Sequence, residues 1–189
     1  MSAARADNRT RLIQAAVKMA YRHGFGKTSL ADIAQAAKVP LGNVYYYFKT
    51  KEAIGEAIVE QRLQEFEALR RAWDEASSPQ ERLCACVQAV LANKDILASG
   101  GCPVGTLCSE LHKEDGALAK KASALFAEHL DWIEAQFKAI GRGDGARGLA
   151  VHLLSALQGV SVLAHGFHDP DLVVIETGRL KEWIGGLSL

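Results

Sequence analysis

Residues 28–51 read TSLADIAQAAKVPLGNVYYYFKTK, and the pattern is that of two short helices joined by a tight turn. Ser29 can accept from an early helical N–H while Asp32, three residues on, reaches back, which is a capping box that starts the first helix. Leu30, Ile33, Ala34 and Ala37 then share one face. Lys38-Val39-Pro40 ends that helix, because proline disfavours helical geometry at the residue before it yet is tolerated in the first turn of the next helix. In the second helix Val44 and Phe48 fall on the inward side at i, i+4. This spreads Leu41, Gly42, Asn43, Tyr45, Tyr46 and Tyr47 over the outer surface.

Three exposed tyrosines in a row need a partner to cover them. Nucleic acid fits: Gly42 admits a close backbone, Asn43 offers a donor and an acceptor to a base edge, and tyrosine hydroxyls reach phosphate oxygens. Leu41, Gly42, Asn43 and Tyr45 to Tyr47 are therefore expected in a major groove. Thr28, Ser29, Lys49 and Lys51 are expected on phosphates, with Lys38 in the same candidate set. The charge distribution agrees. Up to Lys51 there are nine basic residues against Asp7 and Asp32, a balance of +7, which leaves 13 basic and 20 acidic residues and −7 for the remainder. A net charge of zero thus hides a basic head on an acidic body, the footprint of a DNA-binding module with a separate second domain.

The run TSLADIAQAAKVPLGNVYYYFKTKEAI, with the preceding RLIQAAVKMAYRHGFGKTS, resembles the TetR family of bacterial transcriptional repressors over about the first 60 residues. The resemblance implies an all-α homodimer whose N-terminal heads read successive major grooves of a palindromic operator. It also implies a variable helical C-terminal domain that binds an inducer. One departure is Pro40-Leu41, where the family often has a small hydroxyl residue followed by lysine. The change removes a helix cap and a possible phosphate contact.

The rest of the chain is expected to be helical throughout, about nine helices in all, with a head over 1–51 and a linker helix plus ligand-binding and dimerisation domain over 52–189. The first helix is expected from about Asn8 to His23, stopped by a left-handed Gly24. A fourth runs from a Thr50 cap to about Trp73. Ser78, Pro79 and Glu81 form a capping box with proline at the first helical position, opening a helix to about Ala98. Further helices are expected from Cys102-Pro103 to about Leu111, from Asp115 to Phe137, over about 146–167, and from Asp169-Pro170 to Ile184. The last two are too apolar to bury only one face. Leu153, Leu157, Val160, Leu163, Ile175, Leu180, Trp183 and Ile184 are accordingly expected to form a four-helix seam with a second copy.

At 189 residues and 49% hydrophobic content, a sizeable core is available. Met1 to Asn8 lacks an apolar leader, and no run reaches about 18 uninterrupted apolar residues. The expected compartment is the cytoplasm, with the four cysteines as thiols. Catalysis has little footing: there is no glycine-rich loop after a strand, no nucleophile elbow and no paired-carboxylate signature, and Glu110 and Glu114 read as surface residues. His165 and His168 have a metal-like spacing, but no acid or cysteine completes a shell, so neither a metal nor another cofactor is expected.

The control site is expected among Trp73, Cys102, Leu107, His112, Phe126, His129, Trp132, Phe137 and His152, whose bias favours an apolar or aromatic small molecule. Cys102 carries two readings. As the residue before a proline that opens a helix, it sits near unpaired N–H groups, which favours a reactive thiolate. The segment SGGCPVGTLCSEL is also similar to that of electrophile-responsive family members, the N-ethylmaleimide reductase repressors. The plainer reading, a small side chain packed beside a pocket, is preferred. Cys108 is no partner for it, since six helical residues rise about 9 Å.

Overall fold

The structure is a computed structural model that describes residues 3–113 and 116–187, with side chains described from Asp7 onward. Ten α-helices and one 3-10 turn, Gly143–Gly145, occur among the described residues, and no strand does. The helices are α1 (Ala3–His23), α2 (Leu30–Ala37), α3 (Leu41–Tyr47), α4 (Lys51–Asp74), α5 (Pro79–Ala92), α6 (Lys94–Gly100), α7 (Pro103–Leu111), α8 (Ala117–Ala139), α9 (Ala146–Phe167) and α10 (Asp171–Gly185).

The start and stop signals act as their chemistry dictates. Ser29 caps α2 and Ser78 caps α5, each in a closed capping box with the acid three residues on. Gly24 adopts φ +87°, and Lys38 takes the left-handed conformation at the end of α2, its N–H donating to Ala34 and Gln35 carbonyls. Thr50 Oγ1 accepts from Ala53 N–H at 3.2 Å at the start of α4. The tenth helix arises because the segment expected to be continuous to Ala98 is interrupted at Asn93. Its side-chain amide donates to the Ala89 carbonyl at 2.8 Å and its backbone leaves helical geometry at φ −104°, ψ 15°. Asparagine competes with the helix for its own acceptors, and the chain restarts as α6. The expected opening of α8 at Asp115, like Glu114, lies outside the described residues.

The contacts divide the chain into two compact units. The first comprises the chain up to Gln64 together with Thr106–Leu125; the second comprises Glu65–Gly105 and the chain from Phe126. In the first unit α1 packs on α2 and α2 on α3, and Leu12, Ile13, Ala16, Ile33, Val44, Phe48, Ile54 and Ile58 are buried.

In the second unit α10 packs on α5 and α9, and α9 on α6. Its core gathers Phe66, Trp73, Leu83, Val87, Trp132, Ile133 and Phe137 with Leu153, Leu157, Leu180 and Ile184. Most of the residues expected at a dimer seam lie in this core. Leu153, Leu157, Leu180 and Ile184 are consumed by the chain's own core, and Val160 packs with Leu97, Ala98 and Val173. Trp183 lies half-buried against that core, so only Leu163 and Ile175 of the set are exposed. Periodicity shows that a face is apolar without showing what covers it.

Candidate functional site

The outer face of α3 is short and bare. Pro40 precedes the helix without a side-chain cap, as the Pro40-Leu41 departure implies. Leu41, Gly42 and Asn43 are exposed, and a Cβ added at Gly42 would meet nothing within 4 Å. No packing inside the chain therefore requires glycine there. Tyr45 and Tyr46 are 49% and 60% exposed, but Tyr47 is half-buried and presents its ring edge-on to Tyr46 at 5.0 Å. The three tyrosines are thus unequal, with Tyr45 and Tyr46 forming the open surface. Lys38 and Lys49 are exposed beside them.

Positive charge continues along α1. Arg11, Lys18, Arg22, His23 and Lys38 line a groove of about 520 Å³ together with apolar and amide side chains of α1 and α2. Arg11 also fastens the end of α2, its guanidinium donating to the Ala37 and Lys38 carbonyls at 2.5 and 3.2 Å.

Three of the expected phosphate contacts have partners within the chain. Thr28 is buried and its hydroxyl donates to the Gly24 carbonyl at 2.8 Å, which removes it from the outer surface. The Ser29 hydroxyl donates to Asp32 Oδ2 and accepts from Asp32 N–H, so its first role is the cap of α2. That side-chain bond, followed by the Ser29 backbone N–H, holds the Asp32 carboxyl below its ordinary value. Lys51 Nζ donates to the Gly26 carbonyl at 2.6 Å and sits 5.0 Å from the centre of the Phe25 ring. Its place at a helix start is explained by that turn, with no need of a phosphate.

Glu110, read from sequence as a surface acid, is the residue that pattern reasoning missed. Its carboxylate accepts from the N–H groups of Phe25 at 2.7 Å and Gly26 at 2.5 Å, 85 and 84 positions away in sequence. Nothing in the local pattern of α7 signals a partner so distant.

The expected control site is only partly assembled. A cleft of about 250 Å³ in the second unit is lined by Phe126, Leu130, Val151, Leu154, Ser155 and Gln158. Of the sequence candidates Phe126 lines it, and Cys102 is joined to it through Gln158, whose Nε2 donates to Cys102 Sγ at 3.4 Å. Trp73, Trp132 and Phe137 belong to the core instead. Trp132 Nε1 donates to Asp74, and His129 stacks on Phe66 with ring centres 3.6 Å apart. His152 meets the Trp183 ring. Leu107 and His112 fall in the first unit, where Leu107 is buried and His112 bridges the Cys108 carbonyl and Ser123 Oγ. Large aromatic side chains signal burial more often than ligand contact, and here they fill a core.

Cys102 Sγ accepts the Gly105 N–H at 3.3 Å, which makes the thiol the cap of α7. With Gln158 as its second partner, the packing reading is the one this geometry supports, and the electrophile-sensing alternative is set aside. His165 and His168 both face the Ala98 carbonyl through Nδ1, and no metal-ligating cluster occurs among the described residues.

A short helix with an exposed outer face, packed on α2 as α2 packs on α1, with exposed Lys38 and Lys49 at its two ends, has the arrangement of a helix-turn-helix head. Residues 12–58 match the family described as bacterial regulatory proteins, tetR family. The transcriptional regulator TtgR of Pseudomonas putida is 33% identical over 66 residues, which is 35% of this chain and 31% of TtgR. The aligned stretch thus spans less than a third of that relative's length. The repressor DhaR of a Mycobacterium species is 26% identical over 157 residues, 80% of this chain and 77% of DhaR. A TetR transcriptional regulator structure from Legionella pneumophila shares the fold at a TM-score of 0.83 and 19% identity, covering 92% of this chain and 95% of that one. Residues 12–58 thus form a head of the tetR family of bacterial regulatory proteins, and the chain shares the overall fold of a TetR-type regulator.

Proposed function

We propose that the protein is a homodimeric repressor that binds a palindromic operator through α3 and is released by a small, mostly apolar inducer. The observation that carries this reading is the uncovered face of α3, where Tyr45 and Tyr46 lie open beside Leu41, Gly42 and Asn43. Asn43 and the tyrosine hydroxyls would read base edges and phosphates, while Lys38, Lys49 and the α1 cations supply the non-specific attraction. The head works without a catalytic step, metal or cofactor, in the cytoplasm where its DNA lies.

The dimer reading moves to a different face from the one periodicity suggested. On α9, Val162, Leu163 and Phe167 are 69%, 52% and 72% exposed, and on α10 Ile175 is 54% exposed. Gly159 and Gly166 lie on the same outer side of α9 and Gly178 on that of α10, all exposed and with open space where a Cβ would stand. Small residues between large aliphatic ones let helices of a second copy approach closely across a two-fold axis. The segment Gly143–Phe167 is long and apolar enough to cross a membrane, with a third of its most apolar stretch buried in the chain. Pairing with a second copy accounts for that composition.

The inducer site is assigned to the cleft floored by Phe126, Leu130 and Leu154. Ser155 and Gln158 supply its few polar groups, a composition suited to a compact apolar molecule with one hydrogen-bonding end.

The test is a mobility shift on duplex DNA from the gene's own upstream region. Tyr46→Ala should weaken specific binding by about 1–3 kcal/mol, the range for loss of a good base-edge contact. Lys49→Ala should weaken all sequences alike and lower the salt slope by about 1. A double variant that binds like wild type would remove α3 as the reading helix.

A further inference from the structure

The turn between α1 and α2 is held from two sides by residues remote in sequence. Glu110, near the end of α7, places one carboxylate oxygen on the Phe25 N–H and the other on the Gly26 N–H, and Lys51 donates to the Gly26 carbonyl. A Cβ built at Gly24 or Gly26 would stand 3.1 or 3.0 Å from Glu110 Oε1, so the carboxylate is seated against the turn. Consecutive backbone N–H groups converging on an anion form a cradle whose charge-assisted bonds are about twice as strong as neutral ones.

Three residues after Gly26 comes Ser29, the cap that starts α2, and α2 in turn carries α3. The turn therefore sets where the reading helix stands relative to α1.

We propose that Glu110 is a positioning residue for DNA recognition, acting by seating its carboxylate in the amide cradle of the turn between α1 and α2. The proposal rests on the reading that α3 binds DNA. Its chemistry has a distinctive sign. An acid near a polyanion repels it, so removing that charge should tighten binding if Glu110 acts only through the local field. A positioning role demands the opposite. Glu110→Gln keeps the shape but faces one turn N–H with an NH₂ group, and Glu110→Asp keeps the charge but falls one methylene short.

The experiment measures operator binding of both variants by fluorescence anisotropy across a salt series, alongside hydrogen exchange at the Phe25 and Gly26 amides. Both variants should bind about tenfold more weakly, the effect of losing roughly 1.4 kcal/mol. The salt slope should stay unchanged because no phosphate contact is lost, and the two amides should exchange faster while those of Ile54 to Val59 do not. Circular dichroism verifies that each variant is folded, and either one alone suffices. Binding at or above wild-type strength, or protected Phe25 and Gly26 amides in both variants, would overturn the assignment. Wild-type protein that binds no DNA would instead defeat the reading beneath it.

Discussion

Two faces of the molecule leave large apolar side chains uncovered, and their surroundings differ. On α3 the exposed rings end in hydroxyls and stand beside Asn43, Lys38 and Lys49. On α9 and α10 the uncovered side chains include Val162, Leu163, Phe167, Val174 and Ile175, with exposed Gly159, Gly166 and Gly178 and the exposed imidazole of His165 on the same helices. A partner for the first must be polar and anionic, because covering those groups with hydrocarbon would strand their hydrogen-bonding atoms. The second face suits a mostly apolar partner, such as the helices of the proposed second copy. Both faces are exposed, and it is their chemistry rather than their exposure that separates the two proposed partners.

The largest effect should come from breaking the second face to silence the first. Val162→Arg puts a charge where a copy would pack, and we expect a monomer by light scattering with helical content intact. Operator binding should fall by more than about a hundredfold, since two tethered heads gain their avidity from acting together. Leu157→Arg should behave differently. Leu157 is buried in the core, so the charge has no partner and the chain should lose cooperative unfolding rather than merely dissociate. A Val162→Arg dimer of unchanged mass would move the seam off α9.

The two faces were not equally legible in the sequence. The helices of the head could be read because their signals are local: a capping box at Ser29, a left-handed glycine at Gly24, an outward α3 fixed by inward Val44 and Phe48. The residues expected at a seam on α9 and α10 were harder to place, because both sides of α9 are apolar and leucines at helical spacing fit either the chain's own core or a partner. The cleft was hard to read for a related reason. The tryptophans that looked like ligand contacts fill the core, whereas Leu154, Ser155 and Gln158 carry no pattern that marks them. Glu110 and Lys51 could not have been assigned, since each acts on a turn far away in sequence.

A smaller effect would test how firmly the first face is mounted. Ser29→Ala removes the side-chain acceptor at the start of α2 and should cost about 1 kcal/mol of stability in chemical denaturation. Operator affinity should fall with it, while the dimer mass stays unchanged. Loss of the dimer in this variant would mean that the two faces are not independent.

The smallest effect is one of acid. The Ser29 hydroxyl, and after it the Ser29 backbone N–H, holds the Asp32 carboxyl below its ordinary value of 3.8. A carboxyl whose folded value is depressed stabilises the fold at pH above its unfolded value, and that contribution is lost as pH falls through the folded one. The exposed face proposed for a second copy has valine, leucine, isoleucine and phenylalanine at its centre and no capping-box carboxyl of this kind. Acid should therefore loosen the mount of the reading face while the dimer face holds. Asp32→Asn makes the difference measurable, because its amide still offers an oxygen to the Ser29 N–H but never carries charge. Wild type should be the more stable of the two at neutral pH, with the gap in denaturation midpoint closing only below the ordinary carboxylate value. Amide exchange should quicken in α2 over that interval and stay slow in α9. A gap that closes well above the ordinary carboxylate value, or that persists after Asp32 is fully protonated, would show that the cap draws its strength from shape alone.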